Sequence, residues 1–365
     1  MLRWLTGCIL GAVLLTACDD PKPIAIGFVG GLSGRSADIS RESLNALDMA
    51  VAEMNAAGGL NGRKLDLLVR DNQGDPALAA DQVRDLKNAG AVAIIGPNVS
   101  AIAQGMLPVI IETDLVTLSP TVSSLAFAGL DDPFFRMNST TRQNAGAYAT
   151  HLYETGLRRI SAAFDLQNKV FSESWLYEFR GAFERLGGEI LSAEGFDSGA
   201  TEEYGPLVGR LLATKPESLL LIANGVDTAQ LSLHIRGMNR SVGIVAVEWA
   251  ASEQLIELGG AAVEGITILQ TYDRDDLSPR YVAFREAYQA RFETSPGFAS
   301  IAAYDASIVL FAALRAQKDG ESLKHVLLSQ GPLDGLQQEL SFDAFGDGTR
   351  RQFFVTVRDG KLVPR

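Results

Sequence analysis

The chain has 365 residues, 47% of them apolar and 21% charged, the balance of a folded globular protein with a sizeable core rather than a disordered or coiled-coil one. A formal net charge of -12 and a pI near 4.8 exclude the basic footprint that nucleic acids and anionic lipid surfaces require. The length exceeds what one hydrophobic core usually organises, so two lobes are expected.

Arg3 precedes an apolar run over residues 4–15, too short to span a bilayer alone and shaped like the core of a secretory signal. The run ends in Leu15-Thr16-Ala17-Cys18, which resembles the lipobox of bacterial lipoproteins, whose cysteine becomes the lipidated N-terminus. This predicts a signal peptide over 1–17, a lipid on Cys18 and a short polar tether over 18–23. The other cysteine, Cys8, leaves with the signal, so the mature chain folds without an internal disulfide although its compartment is oxidising.

From residue 24 onward, strand-like apolar runs alternate with helical periodicity, the signature of βαβ units. Residues 24–29 read as a buried strand, and Leu44, Leu47, Val51 and Met54 share one helix face. The Gly58-Gly59 pair that follows is expected to cap this helix. Strands over 65–69, 91–95 and 116–118, with helices over 77–88 and 100–111, complete one parallel sheet. A second series starts after Asp131-Asp132-Pro133: a helix over 143–154, a strand over 160–164, a helix carrying Trp175, Phe179 and Phe183, and strands near 190, 219–222 and 242–247. Helices over 205–212 and 228–238 separate those strands. Beyond Gly265 come a strand over 266–269, helices over 281–292 and 301–316, and β-like segments over 339–342 and 353–357. The fold class is therefore α/β, with two doubly wound parallel-sheet lobes. No Pro-, Gly- or Ser-rich linker divides them, which points to close lobes joined by chain crossings.

Catalytic signatures are missing. His151, His234 and His325 each stand alone on an expected helix without a partner at metal-ligand spacing. Gly27, Gly30, Gly31 and Gly34 lack dinucleotide-loop spacing, no phosphate loop occurs, and Ser33, in Gly31-Leu32-Ser33-Gly34, lacks the second glycine spacing of a nucleophile elbow. The acidic doublets Asp131-Asp132, Glu202-Glu203 and Asp275-Asp276 read as solvated charge. No enzyme, cofactor or metal site is expected. Ser100 follows a strand and opens a helix at the carboxyl edge of the first sheet. There it serves either as a helix cap or, with nearby backbone N–H groups, as a carboxylate site. Glu248 ends a strongly apolar strand, where a carboxylate is costly unless solvated or paired.

Several strings, taken together and in order, resemble the leucine/isoleucine/valine-binding branch of the type I periplasmic solute-binding proteins. They are Gly31-Leu32-Ser33-Gly34, the run from Ala52 to Arg63, Asp71 with Asp75-Pro76, Ile95-Gly96-Pro97 with Ser100, and Ser119-Pro120. Val263-Glu264-Gly265, Tyr304-Asp305-Ala306 and Phe342-Asp343 with Gly346-Asp347 continue the series. The resemblance implies a two-lobed clamp with a multi-crossing hinge, lobe I comprising 24–138 plus 266–345 and lobe II 139–265 plus 346–365.

It also implies that Ser100 meets a ligand carboxylate, that the Thr121 carbonyl and the Ser123 hydroxyl meet an ammonium, and that Glu248 pairs with that ammonium. Phe171 stands where relatives often carry a tyrosine, so the side-chain pocket departs from the family pattern. The implied function is capture of an amino acid or amino-acid-like ligand for an ABC permease, by a monomer held in the periplasm through a lipid anchor at the inner membrane. A ligand-sensing regulator of the same fold is the alternative.

Overall fold

The structure is a computed structural model that describes residues 21–34 and 37–365; the expected signal peptide and Cys18 lie outside the described residues. In lobe I, strands β1 (Ile24–Gly30), β2 (Leu65–Asp71), β3 (Ala91–Ile95), β4 (Thr117–Ser119) and β5 (Phe134–Arg136) are all parallel, in the order β2-β1-β3-β4-β5. Alternation along β1 explains the layers. Ile24, Ile26 and Phe28 face the helices α1 (Ala37–Ala56), α10 (Phe298–Ala316) and α11 (Leu323–Ser329). Gly27 and Val29 face α2 (Pro76–Asn88) and α3 (Ser100–Thr113) on the other side. A sheet covered on both faces needs strands that are apolar almost throughout, as β1 and β3 are. Helix α9 (Pro279–Phe292) and a small hairpin of β11 (Leu333–Asp334) and β12 (Glu339–Leu340) complete the lobe.

The expected cap of α1 is present: Gly59 takes φ +79°, its N–H donates to Met54 O at 2.9 Å, and a Cβ there would lie 2.2 Å from Arg63 O. Only glycine fits both the left-handed backbone and that contact.

Lobe II repeats the plan. Strands β6 (Arg159–Asp165), β7 (Glu189–Phe196), β8 (Ser218–Ile222), β9 (Gly243–Ala246) and β10 (Thr267–Gln270) run parallel in the order β7-β6-β8-β9-β10. The antiparallel strands β13 (Phe353–Arg358) and β14 (Lys361–Pro364) extend the β10 edge. One face carries α4 (Thr141–Glu154) and α5 (Lys169–Arg185); the other carries α6 (Tyr204–Ala213), α7 (Gly225–Met238) and α8 (Glu253–Gly259). The α5 core stripe falls at four-residue spacing: Trp175, Phe179 and Phe183 stack successively at 5.3 Å between ring centroids. Truncating the central ring, Phe179→Ala, would cost about 3–5 kcal/mol.

Two lobe boundaries differ from the sequence reading. Thr267–Gln270 is not the start of a return to lobe I; it pairs with β9 and β13 inside the second sheet, and the chain crosses only after Gln270. Residues 346–350 belong with lobe I, because Gly346 O accepts the Arg136 N–H at 2.9 Å and Asp347 Oδ1 accepts Arg136 Nε at 2.7 Å. An apolar strand can join either sheet, and its pattern alone does not say which. The first and third crossings run side by side, since Ser139 Oγ accepts the Arg350 N–H at 2.8 Å. Arg350 is anchored in turn by the buried Asp305 at 2.8 Å. The crossings are thus paired and held by an ion pair.

Candidate ligand-binding site

In both sheets the strand order reverses beside a central strand, between β1 and β3 in lobe I and between β6 and β8 in lobe II. Open α/β sheets bind ligands at the carboxyl ends of strands next to such a reversal. Here the two carboxyl edges face each other across one cleft. Lobe I contributes Asn98 and Ser100 after β3, and Thr121 and Ser123 after β4. Lobe II contributes Asn168 and Phe171 after β6, and Glu248 and Trp249 after β9. Ile39 and Phe298, from the first turns of α1 and α10, close the apolar wall, and Asn138 lies at the crossing. The cavity leaves about 20 Å³ for the centre of a water-sized molecule, little more than the minimum for one ordered water.

The five residues expected at the ligand, Ser100, Thr121, Ser123, Phe171 and Glu248, all line this one cavity although they span 149 positions of chain from Ser100 to Glu248. Ser100 and Ser123 are buried, and among the described residues neither hydroxyl has a protein hydrogen-bond partner. Ser100 opens α3, whose cap residue Val99 offers no side-chain oxygen; the Ile102 and Ala103 N–H groups donate to Val99 O at 3.1 and 3.0 Å, so among the described residues the Ser100 N–H is the first-turn donor left open to an acceptor. The remaining one, Ala101 N–H, donates to Asn168 Oδ1 of lobe II at 3.1 Å. That bond latches the lobes directly. Ser124 Oγ adds a second inter-lobe bond to Val170 O at 2.7 Å.

Thr121 is more committed than the sequence suggests. Its Oγ1 donates to Asn98 O at 2.7 Å, and its carbonyl accepts Asn138 Nδ2 at 3.2 Å, leaving one lone pair on that oxygen. Phe171 packs edge-on against Trp249, with ring centroids 5.6 Å apart and planes at 83°.

Glu248 carries the strongest electrostatic feature of the cleft. It is 4% exposed, and its carboxylate accepts Asn144 Nδ2 at 2.9 Å and Trp175 Nε1 at 3.2 Å. Both donors are neutral, and among the described residues no Lys or Arg pairs with it. Burial pushes its pKa up, against hydrogen bonds from its own backbone N–H, Asn144 and Trp175. At the cleft rim, burial also raises Asp165 to about 6, with Asp227 and Asp197 adding to the shift and the N–H groups of Gln167 and Asn168 opposing it. None of the three histidines lines the cleft: His151, for example, stacks on Phe354 at 3.7 Å in lobe II. No group of three His, Cys, Asp or Glu residues able to hold a metal occurs among the described residues.

Sequence reasoning passed over Asn98, Asn168, Trp249, Ile39 and Phe298. Trp249 directly follows Glu248, and Asn98 lies in the turn between a strand and Ser100, so position relative to the strand ends was the available signal. Ile39 and Phe298 had none, because helix starts remote in sequence meet only in the folded molecule.

A family profile described as "Periplasmic binding protein" matches residues 23–361. Curated relatives include the Leu/Ile/Val-binding protein of Citrobacter freundii, 22% identical over 348 residues, covering 94% of this chain and 92% of the relative. Another is the leucine-, isoleucine-, valine-, threonine-, and alanine-binding protein of Pseudomonas aeruginosa, 22% identical and covering 93% and 90%. Among solved structures, the branched-chain amino acid transporter substrate-binding protein of Streptococcus pneumoniae in complex with isoleucine superposes with a TM-score of 0.86 at 21% identity, covering 93% and 97%. A solute-binding protein of an ABC transporter from R. palustris in complex with benzoate gives 0.85 at 17% identity, covering 94% and 95%. The chain belongs to the periplasmic binding proteins, in the type I branch that contains the Leu/Ile/Val-binding proteins.

Proposed function

We propose that this protein is an extracytoplasmic solute receptor that closes its two lobes on an α-amino acid or close analogue and delivers it to an ABC permease, without catalysis. One observation carries the ligand class: Glu248 is a buried carboxylate held by two neutral donors, across a cleft from two buried hydroxyls and the Ser100 N–H at the start of α3. An α-ammonium at Glu248 supplies the missing counter-charge, and an α-carboxylate at Ser100 takes that residue's hydroxyl and N–H. Differential affinity for the closed form then drives closure. The names of the curated relatives support the amino-acid class. The lipid anchor on Cys18 and a periplasmic place at the inner membrane belong to the same proposal.

A ligand without an ammonium is the second reading, favoured by the upward shift of Glu248 and the aromatic wall of Phe171, Trp249 and Phe298. A protonated Glu248 suits an aromatic or other carboxylic acid. Thermal unfolding of residues 21–365 with amino acids, amides and small carboxylic acids separates the two. A ligand at a hundred times its dissociation constant stabilises by about 2.7 kcal/mol. Stabilisation by carboxylic acids but by no amino acid would discard the first reading.

A further inference from the structure

The cleft does not end at the cavity that holds Ser100 and Glu248. Beside it lies a second chamber, toward the loops after β1, β2 and β7, and the two share Asn168 and Trp249 as walls. The second chamber leaves about 240 Å³ for the centre of a water-sized molecule, against about 20 Å³ in the first. Lobe I lines it with Ser33, Asn72 and Gln73, and lobe II with Asp165, Gln167 and Ser198, so its side chains are chiefly polar. Trp249 stands between the chambers, and edge-on packing against Phe171 fixes its ring. Two hydrogen bonds in series lead from the start of α3 to the second chamber: Ala101 N–H to Asn168 Oδ1 at 3.1 Å, and Asn168 N–H to Asp165 Oδ2 at 3.2 Å. The Asp165 carboxylate takes N–H groups of its own loop, from Gln167 at 2.8 Å and from Asn168, which leaves each oxygen a lone pair. Burial raises its pKa to about 6, and among the described residues no Lys or Arg lines the chamber. A poorly solvated carboxylate in such a wall favours a ligand group that donates to it.

Resting on the amino-acid reading, we propose that the ligand side chain runs past Trp249 into this second chamber, and that the site selects a long side chain with a hydrogen-bond donor at its tip over apolar or acidic side chains of the same length. With the α-carboxylate at Ser100 and the α-ammonium at Glu248, the room for a longer side chain lies on the far side of Trp249. The methylene stem rests on the indole, and the donor meets Asp165. An apolar tip displaces water from the polar walls without replacing its hydrogen bonds, and an acidic tip faces a carboxylate of the same charge.

Calorimetry on residues 21–365 with glutamine, glutamate, norleucine and alanine tests this. Glutamine should bind about tenfold more tightly than either glutamate or norleucine. Asp165→Asn should bring the preference for glutamine over glutamate below about threefold. Ser33→Trp places a large ring at an exposed loop position on the chamber wall. It should weaken glutamine by about tenfold while alanine, which stays in the first cavity, changes by less than about threefold; this variant serves if Asp165→Asn fails to fold. Glutamate or norleucine binding within about threefold of glutamine, a preference that survives Asp165→Asn, or a Ser33→Trp variant that spares glutamine or weakens alanine equally overturns the inference. The amino-acid reading then stands if any of the four binds and loses affinity in Glu248→Gln. Failure of all four ligands to bind overturns both.

Discussion

Asn144 Nδ2 donates to Glu248 Oε1 across 2.9 Å, and Asn144 Oδ1 accepts Gln352 Nε2 at 3.3 Å, so the carboxylate is held in place by a chain of amides from α4 and the last crossing. The carboxylate is thus preorganised, and neutral donors leave its charge available to a ligand. Glu248→Gln should keep the fold and weaken amino-acid binding by about 3–5 kcal/mol, roughly two to four decades, because a desolvated ammonium loses its counter-charge. Near-native affinity by calorimetry would sink the ammonium assignment.

The same carboxylate makes binding pH-dependent. Its pKa is raised in the ligand-free cleft by burial, and a bound ammonium favours the ionised form. Affinity should therefore fall on acidification, beginning above the pH range of an ordinary glutamate, with proton release on binding at the acid end. Isothermal titrations in buffers of different ionisation enthalpy read that proton directly; a flat profile in the parent equal to that of Glu248→Gln would contradict it.

Ser100→Ala and Ser123→Ala each remove a hydroxyl proposed to meet a charged ligand group, at about 1.5–3 kcal/mol, or ten- to a hundredfold in Kd. Neither hydroxyl has a protein partner among the described residues, so melting without ligand should be nearly unchanged. A loss of intrinsic stability with unaltered binding would reassign them to structure.

The Asn168–Ala101 latch should bias the lobes toward closure even without ligand. Asn168→Ala removes about 0.5–1.5 kcal/mol of inter-lobe hydrogen bonding, lowering the closed-to-open ratio by roughly two- to thirteenfold. Small-angle scattering of the ligand-free variant should show a larger radius of gyration than the parent. An unchanged radius and unchanged ligand affinity would mean that the latch contributes nothing.

Glu42 on α1 sits at the lobe boundary with Oε2 buried and unpartnered. Burial pushes its pKa up to about 8, Asp38 and the lobe II residue Glu253 add to the shift, and Arg274 and the Ser300 N–H oppose it. A carboxyl raised in this way contributes stability that is complete below its unfolded pKa of 4.5 and is lost as pH rises toward about 8. Stability should decline across that window by at most about 1.4 kcal/mol per pH unit from this group. Glu42→Gln should flatten the decline and melt higher than the parent at pH 8. Parallel pH profiles for both proteins would show that Glu42 ionises freely.

Much of this protein is legible along the chain because its signals are local. The 3.6-residue stripe of α5, the apolar runs of β1, β3 and β8, and the glycine cap of α1 each depend on neighbours a few residues away. The strand-end positions of Ser100 and Glu248 follow from the same local pattern. Short elements were missed: β5 is three residues between turns, and α8 and α11 are seven residues each, too short for periodicity to declare. What only the tertiary structure decided depends on contacts remote in sequence. These are the sheet that β10 joins, the lobe that holds residues 346–350, the bond from Asn168 to α3, and the meeting of Ile39 with Phe298. An apolar strand has two edges that any sheet can satisfy, and an asparagine has a donor and an acceptor that only its surroundings distinguish, so neither choice is written in the residues themselves.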